Sequence, residues 1–387
     1  MIKPGMNPST TRWWKSYDVL DDYTIRVNLT GWQNIIVRNF TGITTTLSSP
    51  TAYQSKGLEW SRWNMVGTHA FKQVEFVRDV RLRTARFDDY WEQGKPYLLG
   101  LDMEYVADSL TRLALFKSGG GDVMGANPKD AADLQKAGYS IISYPAAANV
   151  LIPDSINADS PWANAKVRMA AEYAIDKEAL SKAFGYGFEP PAYQITLPGS
   201  PSYVPSIAGR KYDAARAKQL LAEAGYPNGF KSKIIRDGSL PRDAAVAIQS
   251  YLGAIGIQID LDFVEPAKLV TVTTGTWNNA LLFHQTRPFP NFNAVLSIEF
   301  GFPVSTFYKS LKKPDGWEQV FNATLLSPTQ DPALMQKAVQ AMYDDCTVIP
   351  TTYYSSTYAT QPYVYNTGRG EMGSATQFTP QNAWLSK

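Results

Sequence analysis

Residues 167–180 read VRMAAEYAIDKEAL, and they thread Arg168, Glu172, Asp176, Lys177 and Glu178 through an alanine-rich run. Charges at this density could be acid–base machinery. Their spacing points elsewhere. Val167, Ala170, Ala171, Ala174 and Ile175 recur at helical spacing and form an apolar stripe, which Asp176 interrupts. An Asp followed by Lys177, Glu178, Ala179 and Leu180 suits the N-cap of a new helix, because its carboxylate accepts backbone N–H groups left without partners. The segment therefore reads as two short helices in series with Gly185 as the stop. Arg168 and Glu172 are expected to form an i,i+4 pair, worth only about 0.3–0.5 kcal/mol if exposed.

The other residues capable of chemistry are sparse. His69 and His284 are the only histidines, and neither belongs to an HxxxH or HExxH spacing, so a histidine metal centre is not expected. A serine triad would need one of the same two, and no GxSxG elbow occurs. Gly119-Gly120-Gly121 leads from a helix into a strand, whereas a phosphate cradle needs strand, loop, then helix. The pairs Asp88-Asp89 and Asp344-Asp345 are adjacent in sequence and so diverge in direction; they read as solvated faces rather than a glycosidase dyad. Cys346, the one cysteine, excludes an internal disulfide and reads as a small buried side chain. No catalytic residue, metal or cofactor is expected, and the chain is not expected to be an enzyme.

What must position any site is a large globular protein. With 387 residues and 44% hydrophobic content the chain can fill more than one core. Lys and Arg number 37 against 35 Asp and Glu, a formal net charge of +2 with no basic run, which argues against nucleic acid as a partner. Apolar stretches fall well short of the roughly 20 residues that span a bilayer, and MIKPGMNPSTTRWWKSYDV has no apolar leader core. Aromatics reach 13%, more than a core requires, which favours a recognition surface.

The opening third reads as mainly β. Tyr23, Ile25, Val27 and Leu29 alternate as a half-buried strand. AFKQVEFVRDVRLRTARF alternates through Phe71, Val74, Phe76, Val80 and Leu82 and turns at Arg78-Asp79. DSLTRLALFKSGG follows as a helix capped by Asp108 and stopped at Gly119, with Leu110, Leu113, Ala114 and Phe116 on one face. YSIISYP is a buried strand. From about residue 150 the pattern predicts α/β structure: helices in AARAKQLLAEAGY, stopped at Gly225, in PRDAAVAIQSYLGAIG and in PALMQKAVQAMYDDC, with the strand IQIDLDFV among them.

Five segments in order resemble the family 5 extracytoplasmic solute-binding proteins of ABC importers, the dipeptide, oligopeptide and nickel-binding group. They are NMVGTHAFKQVEF at 64–76, FDDYWEQGKPYL at 87–98, DSLTRLALFKSGGGDVM at 108–124, VRMAAEYAIDKEAL and YDAARAKQLLAEAGYPNGF at 212–230. The resemblance implies a two-lobed α/β protein of the periplasmic-binding-protein type II fold, shortened at its N-terminal subdomain. Lobe I would comprise 1–148 plus 357–387, and lobe II 149–356. The chain would cross near Pro145–Ile152 and near Thr351–Thr357. A solute (peptide-like, oligosaccharide or small organic anion) held between the lobes would be delivered to the transmembrane permease, in the periplasm or outside the cell, with the membrane reached only through the permease or a missing anchor. Relatives that bind peptides hold the ammonium with an Asp in a Trp-x-x-Asp segment. The corresponding LLFHQTRPFPNFNAVL at 281–296 has no acid, which favours an anionic, aromatic or sugar-like solute over a standard peptide. The candidate contacts are Trp277, Phe283, His284, Arg287, Phe289 and Tyr186. The alternative is a shortened relative that serves as a protein-interaction or oligomerising module.

Overall fold

A computed structural model describes residues 13–36, 49–237, 242–265, 268–286, 292–303, 305–370 and 378–386. In chain order it opens with β1 (Trp14–Asp21), β2 (Thr24–Leu29) and α1 (Pro50–Ser61). The strands β3 (Phe71–Val77), β4 (Arg81–Arg86) and β5 (Gly100–Glu104) follow, then α2 (Ser109–Lys117), β6 (Val123–Gly125), α3 (Pro128–Lys136) and β7 (Ser140–Pro153). Next come α4 (Ala165–Ala174), α5 (Lys177–Leu180), a π-helical turn at Ser181–Gly185, α6 (Ala214–Glu223), β8 (Phe230–Asp237) and α7 (Arg242–Gly253). The chain continues through β9 (Ile257–Val264), α8 (Leu269–Thr274), β10 (Ala280–Thr286), α9 (Phe292–Glu299), α10 (Trp317–Leu326) and α11 (Pro332–Asp344). It closes with β11 (Ile349–Thr360), β12 (Val364–Tyr365) and β13 (Trp384–Leu385).

These elements form two compact units. One gathers Met1–Thr44 and Pro145–Ser355, the other Thr45–Tyr144 and Ser356–Lys387. In the first, strands lie in the order β11-β7-β10-β8-β9. β8 is parallel to both β9 and β10, and β10 is antiparallel to β7. Alternation divides the side chains between two cores. Leu151, Ile234, Leu281 and Phe283 meet Val167, Ala171, Ile248 and Leu252 on one face. Val150, Ile152 and Leu282 meet Leu296, Phe321, Leu325 and Val339 on the other. The second unit carries the antiparallel meander β3-β4-β5, the β12–β13 hairpin, and β6 paired with the last residues of β11. Phe116, Met124, Leu134 and Ala359 form its core.

Local chemistry explains why the predicted helices form where they do. Asp108, Asp176, Asp213 and Asp331 each accept a backbone N–H at a helix start. Gly119 and Gly225 lie past helix ends at φ 81° and 90°, a region that L side chains rarely enter. The expected hairpin at 71–86 also forms, with Asp79 at φ 59° in its turn. A register shift between Gln73 and Glu75 accounts for the change of parity between Phe71 and Val74.

Three expectations need correction. The opening third contains α1, which shows no periodicity because it buries none of its side chains and bends where Gly57 adopts φ 81°. β2 is a strand but not half-buried: it pairs only with β1 among the described residues, and Tyr23 and Ile25 are 98% and 63% exposed. Arg168 and Glu172 are both buried and are not partners. Arg168 donates to the carbonyls of Trp162, Ala163, Asp345 and Cys346 and to the Asp345 carboxylate at 2.9 Å. Glu172 pairs with Lys177 and Arg210, each at 2.8 Å, and accepts from Cys346 Sγ at 3.3 Å. Burial pushes the Glu172 carboxyl up, yet the two cations outweigh it and hold the acid below its usual range. Burial, then Glu172, drives the Cys346 thiol well up. Inside a core each charge takes whichever partners satisfy it best, and i,i+4 spacing does not decide which.

Candidate functional site

In open α/β sheets ligands gather at the carboxyl ends of parallel strands. Here those are the ends of β8, β9 and β10, where Phe263, Arg236, Phe283 and Leu151 stand in register across four strands. The Arg236 guanidinium is buried and stacks over the Phe263 ring at 5.2 Å. Arg242, at the start of α7, lies over the same ring at 4.9 Å. One register step toward the carboxyl end on the same face, Gln285 lies opposite Asn149. Gln285 Nε2 donates to Asn149 Oδ1 at 3.0 Å, and Asn149 Nδ2 donates to Thr352 Oγ1 at 2.9 Å. Two guanidiniums, a ring they share and an amide–hydroxyl chain suit the recognition of a polar solute with a carboxylate.

Beside this chain lies a cavity of about 20 Å³, lined by Asn149, Thr351, Thr352, Phe283 and Glu189 together with apolar residues of α5, the π-helical turn and α7. Glu189 reaches it because residues 188–192 run alongside β11: Tyr353 N donates to Pro190 O, Ala192 N to Thr351 O, and Ser355 Oγ to Phe188 O. The Ser181 hydroxyl of the π-helical turn fixes Glu189 O at 2.7 Å. Burial pushes the Glu189 carboxyl up to about 7 against a smaller opposing pull from the Ser355 backbone N–H.

The opposite face of β10 presents His284. Its Nδ1 lies 2.8 Å from the Tyr308 hydroxyl, and the two rings meet edge to face at 5.8 Å. Phe300 and Phe307 pack on Tyr308.

The structure separates the residues selected from sequence. Phe283 and His284 lie at the strand end on opposite faces. Trp277 is buried in the core before the amino end of β10, its backbone N–H and carbonyl both bonded to Ser310 Oγ at 2.7 Å. Tyr186 is exposed at φ 48°, three residues before Glu189. Arg287 and Phe289 lie outside the described residues. Sequence reasoning missed Asn149, Glu189, Arg236, Arg242 and Thr352. The acid in FEPP was the one visible signal, a carboxylate set between Phe188 and two prolines where an exposed loop would be more polar.

No group of three or more metal-ligating side chains occurs among the described residues, and no described helix is long and apolar enough to cross a membrane. Solved structures share the fold. The chain aligns over all of its length with 78% of the DppA periplasmic binding protein from Helicobacter pylori in complex with the peptide STSA, at TM-score 0.82 and 23% identity. Over 98% of its length it aligns with 79% of AgaA from A. tumefaciens R10 in complex with agropinic acid, at TM-score 0.79 and 21% identity. The fold is the α/β type II fold of periplasmic binding proteins. Among curated relatives, the glutathione-binding protein GsiB of Pectobacterium atrosepticum is 27% identical over 262 residues, 67% of this chain and 50% of that protein. GsiB of Salmonella paratyphi A is 28% identical over 245 residues, 62% of this chain and 47% of that protein. The chain thus spans about half the length of the curated relatives it matches. The model of the bacterial extracellular solute-binding proteins, family 5, matches residues 1–302, and the chain belongs to that family.

Proposed function

We propose that the chain captures a solute for an ABC importer and presents it to the transmembrane permease, acting in the periplasm or at the cell exterior without chemistry of its own. Membership of the family carries this reading. The row at the carboxyl ends of β8–β10 supports it, since Arg236, Arg242, Gln285 and Asn149 are recognition groups without a nucleophile–base pair among them. In this reading lobe I comprises 1–148 with 357–387 and lobe II comprises 149–356, although Met1–Thr44 group with the compact unit of Pro145–Ser355. Phe283, His284, Tyr186 and the segment carrying Arg287 and Phe289 contribute contacts, and Trp277 supports β10 from its core.

The solute class proposed is a peptide-like molecule or small organic anion with a carboxylate for the paired guanidiniums. The named ligands of related proteins, glutathione, the peptide STSA and agropinic acid, are the first compounds to test. A thermal-shift screen over these, other short peptides, oligosaccharides and small acids checks the reading. A true ligand at 100 times its dissociation constant adds about 2.7 kcal/mol of stability. A well-folded sample that no compound stabilises would count against it.

A further inference from the structure

We propose that the cavity bordered by Glu189, Asn149, Thr351, Thr352 and Phe283 is a subsite for a primary ammonium group, with Glu189 as its counter-ion. This deepens the solute-receptor reading and rests on it for its purpose, though not for its test. The segment at 281–296, where an acid was sought, supplies none; the structure brings one to the same strand end from residues 188–192.

Four observations favour an ammonium. The Glu189 side chain is 8% exposed, has no ion-pair partner among the described residues, and borders the cavity. The lining is acceptor-rich. Thr352 Oγ1 accepts from Asn149 and keeps a lone pair, while the Thr351 hydroxyl spends its proton on Asn149 O and keeps its acceptor capacity. Phe283 adds an aromatic face, which attracts a desolvated cation. The volume of about 20 Å³ admits a group of water size, and an ammonium is close to a water in bulk. A methyl would leave the acid without a counter-ion, and a carboxylate would be repelled by its charged form.

Among the described residues, no other titratable side chain lines the cavity. α5 and the π-helical turn contribute Leu180, Phe184 and Gly185, α7 Ala244 and Ile248, β10 Phe283, β7 Asn149, and β11 Thr351 and Thr352. Among the described residues, no neighbouring charge contributes to the shift of the Glu189 carboxyl. Ammonium binding should therefore follow the ionisation of this one group, weak when it is protonated at pH 6 and stronger when it is charged at pH 8.

The test uses the full chain and methylammonium chloride as probe, with sodium chloride at matched ionic strength as reference. The melting temperature is read at pH 6 and pH 8 for the wild type, Glu189→Gln and Thr352→Val. The expected result is a rise with methylammonium that is larger at pH 8, absent in Glu189→Gln and reduced in Thr352→Val. A rise of equal size in Glu189→Gln, or the same rise at both pH values, overturns the proposal, as does no rise at all in the wild type. Should Glu189→Gln fail to fold, the wild-type pH dependence and the Thr352→Val comparison decide. A methylammonium effect with no hit in the solute screen would sink the receptor reading alone. A solute hit without a methylammonium effect would sink this one alone.

Discussion

Glu189 holds its proton more tightly in the folded chain than in the unfolded one, because burial raises its carboxyl from 4.5 to about 7. A raised pKa stabilises the fold fully below the unfolded value, and that contribution is lost as pH rises through the folded value. Between pH 4.5 and 7 this group alone should cost the protein about 3 kcal/mol. Glu189→Gln should remove that slope, so the variant should gain on the wild type as pH rises from 4.5 to 8 in urea titrations; parallel pH profiles would refute it. Glu172 predicts the opposite sensitivity. Replacing it by Gln leaves Lys177 and Arg210 buried with no carboxylate between them, and breaking such a pair costs about 3–5 kcal/mol. A urea midpoint within a few tenths molar of wild type at pH 7 would show that the network contributes little. Neither role was legible in the sequence, since Glu172 looked like an i,i+4 partner of Arg168. The difference is made by residues 38 and 174 positions away, Arg210 and Cys346.

The helices that were legible, α2, α4–α7 and α11, carry local signals, whereas α3 and α8–α10 were not read from the sequence. Asp108, Asp213 and Asp331 announce their helices within a few residues, and Asp176 accepts from Ala179 N at 2.9 Å as the sequence suggested. Asp176→Ala should therefore cost about 1 kcal/mol, measured against Asp213→Ala as a second cap. A loss at Asp213 with none at Asp176 would mean that α5 is held by its packing instead. α1 went unseen because it has no buried face to set a period. Sheet order was not legible either. β8 pairs with β10 across the whole of β9 and α8, and the Asn149–Thr352 bond joins residues 203 apart. The same limit explains the site. Phe283 and His284 belong to a segment that the family resemblance could find. Glu189, Asn149 and Thr352 become neighbours only when β7, β11 and the 188–192 segment are brought together.

The chain builds separate cores in two units, one around Leu151, Ile248 and Leu252 with a second layer at Val150 and Leu325, the other around Phe116, Met124 and Leu134. Domains with their own cores commonly unfold as separate cooperative steps, so calorimetry should resolve more than one transition. Assignment follows from cavities made in each core. Leu252→Ala and Leu134→Ala both empty fully buried positions and should each cost about 2–5 kcal/mol, but at different transitions. A ligand held at the β8–β10 ends should raise the transition that Leu252→Ala lowers, because Phe283 and Leu252 belong to the same core. If both variants lower one sharp transition equally, the units fold as a single cooperative body. If a ligand instead raises only the transition sensitive to Leu134→Ala, its binding energy enters through the other unit and the site proposed at the strand ends is misplaced.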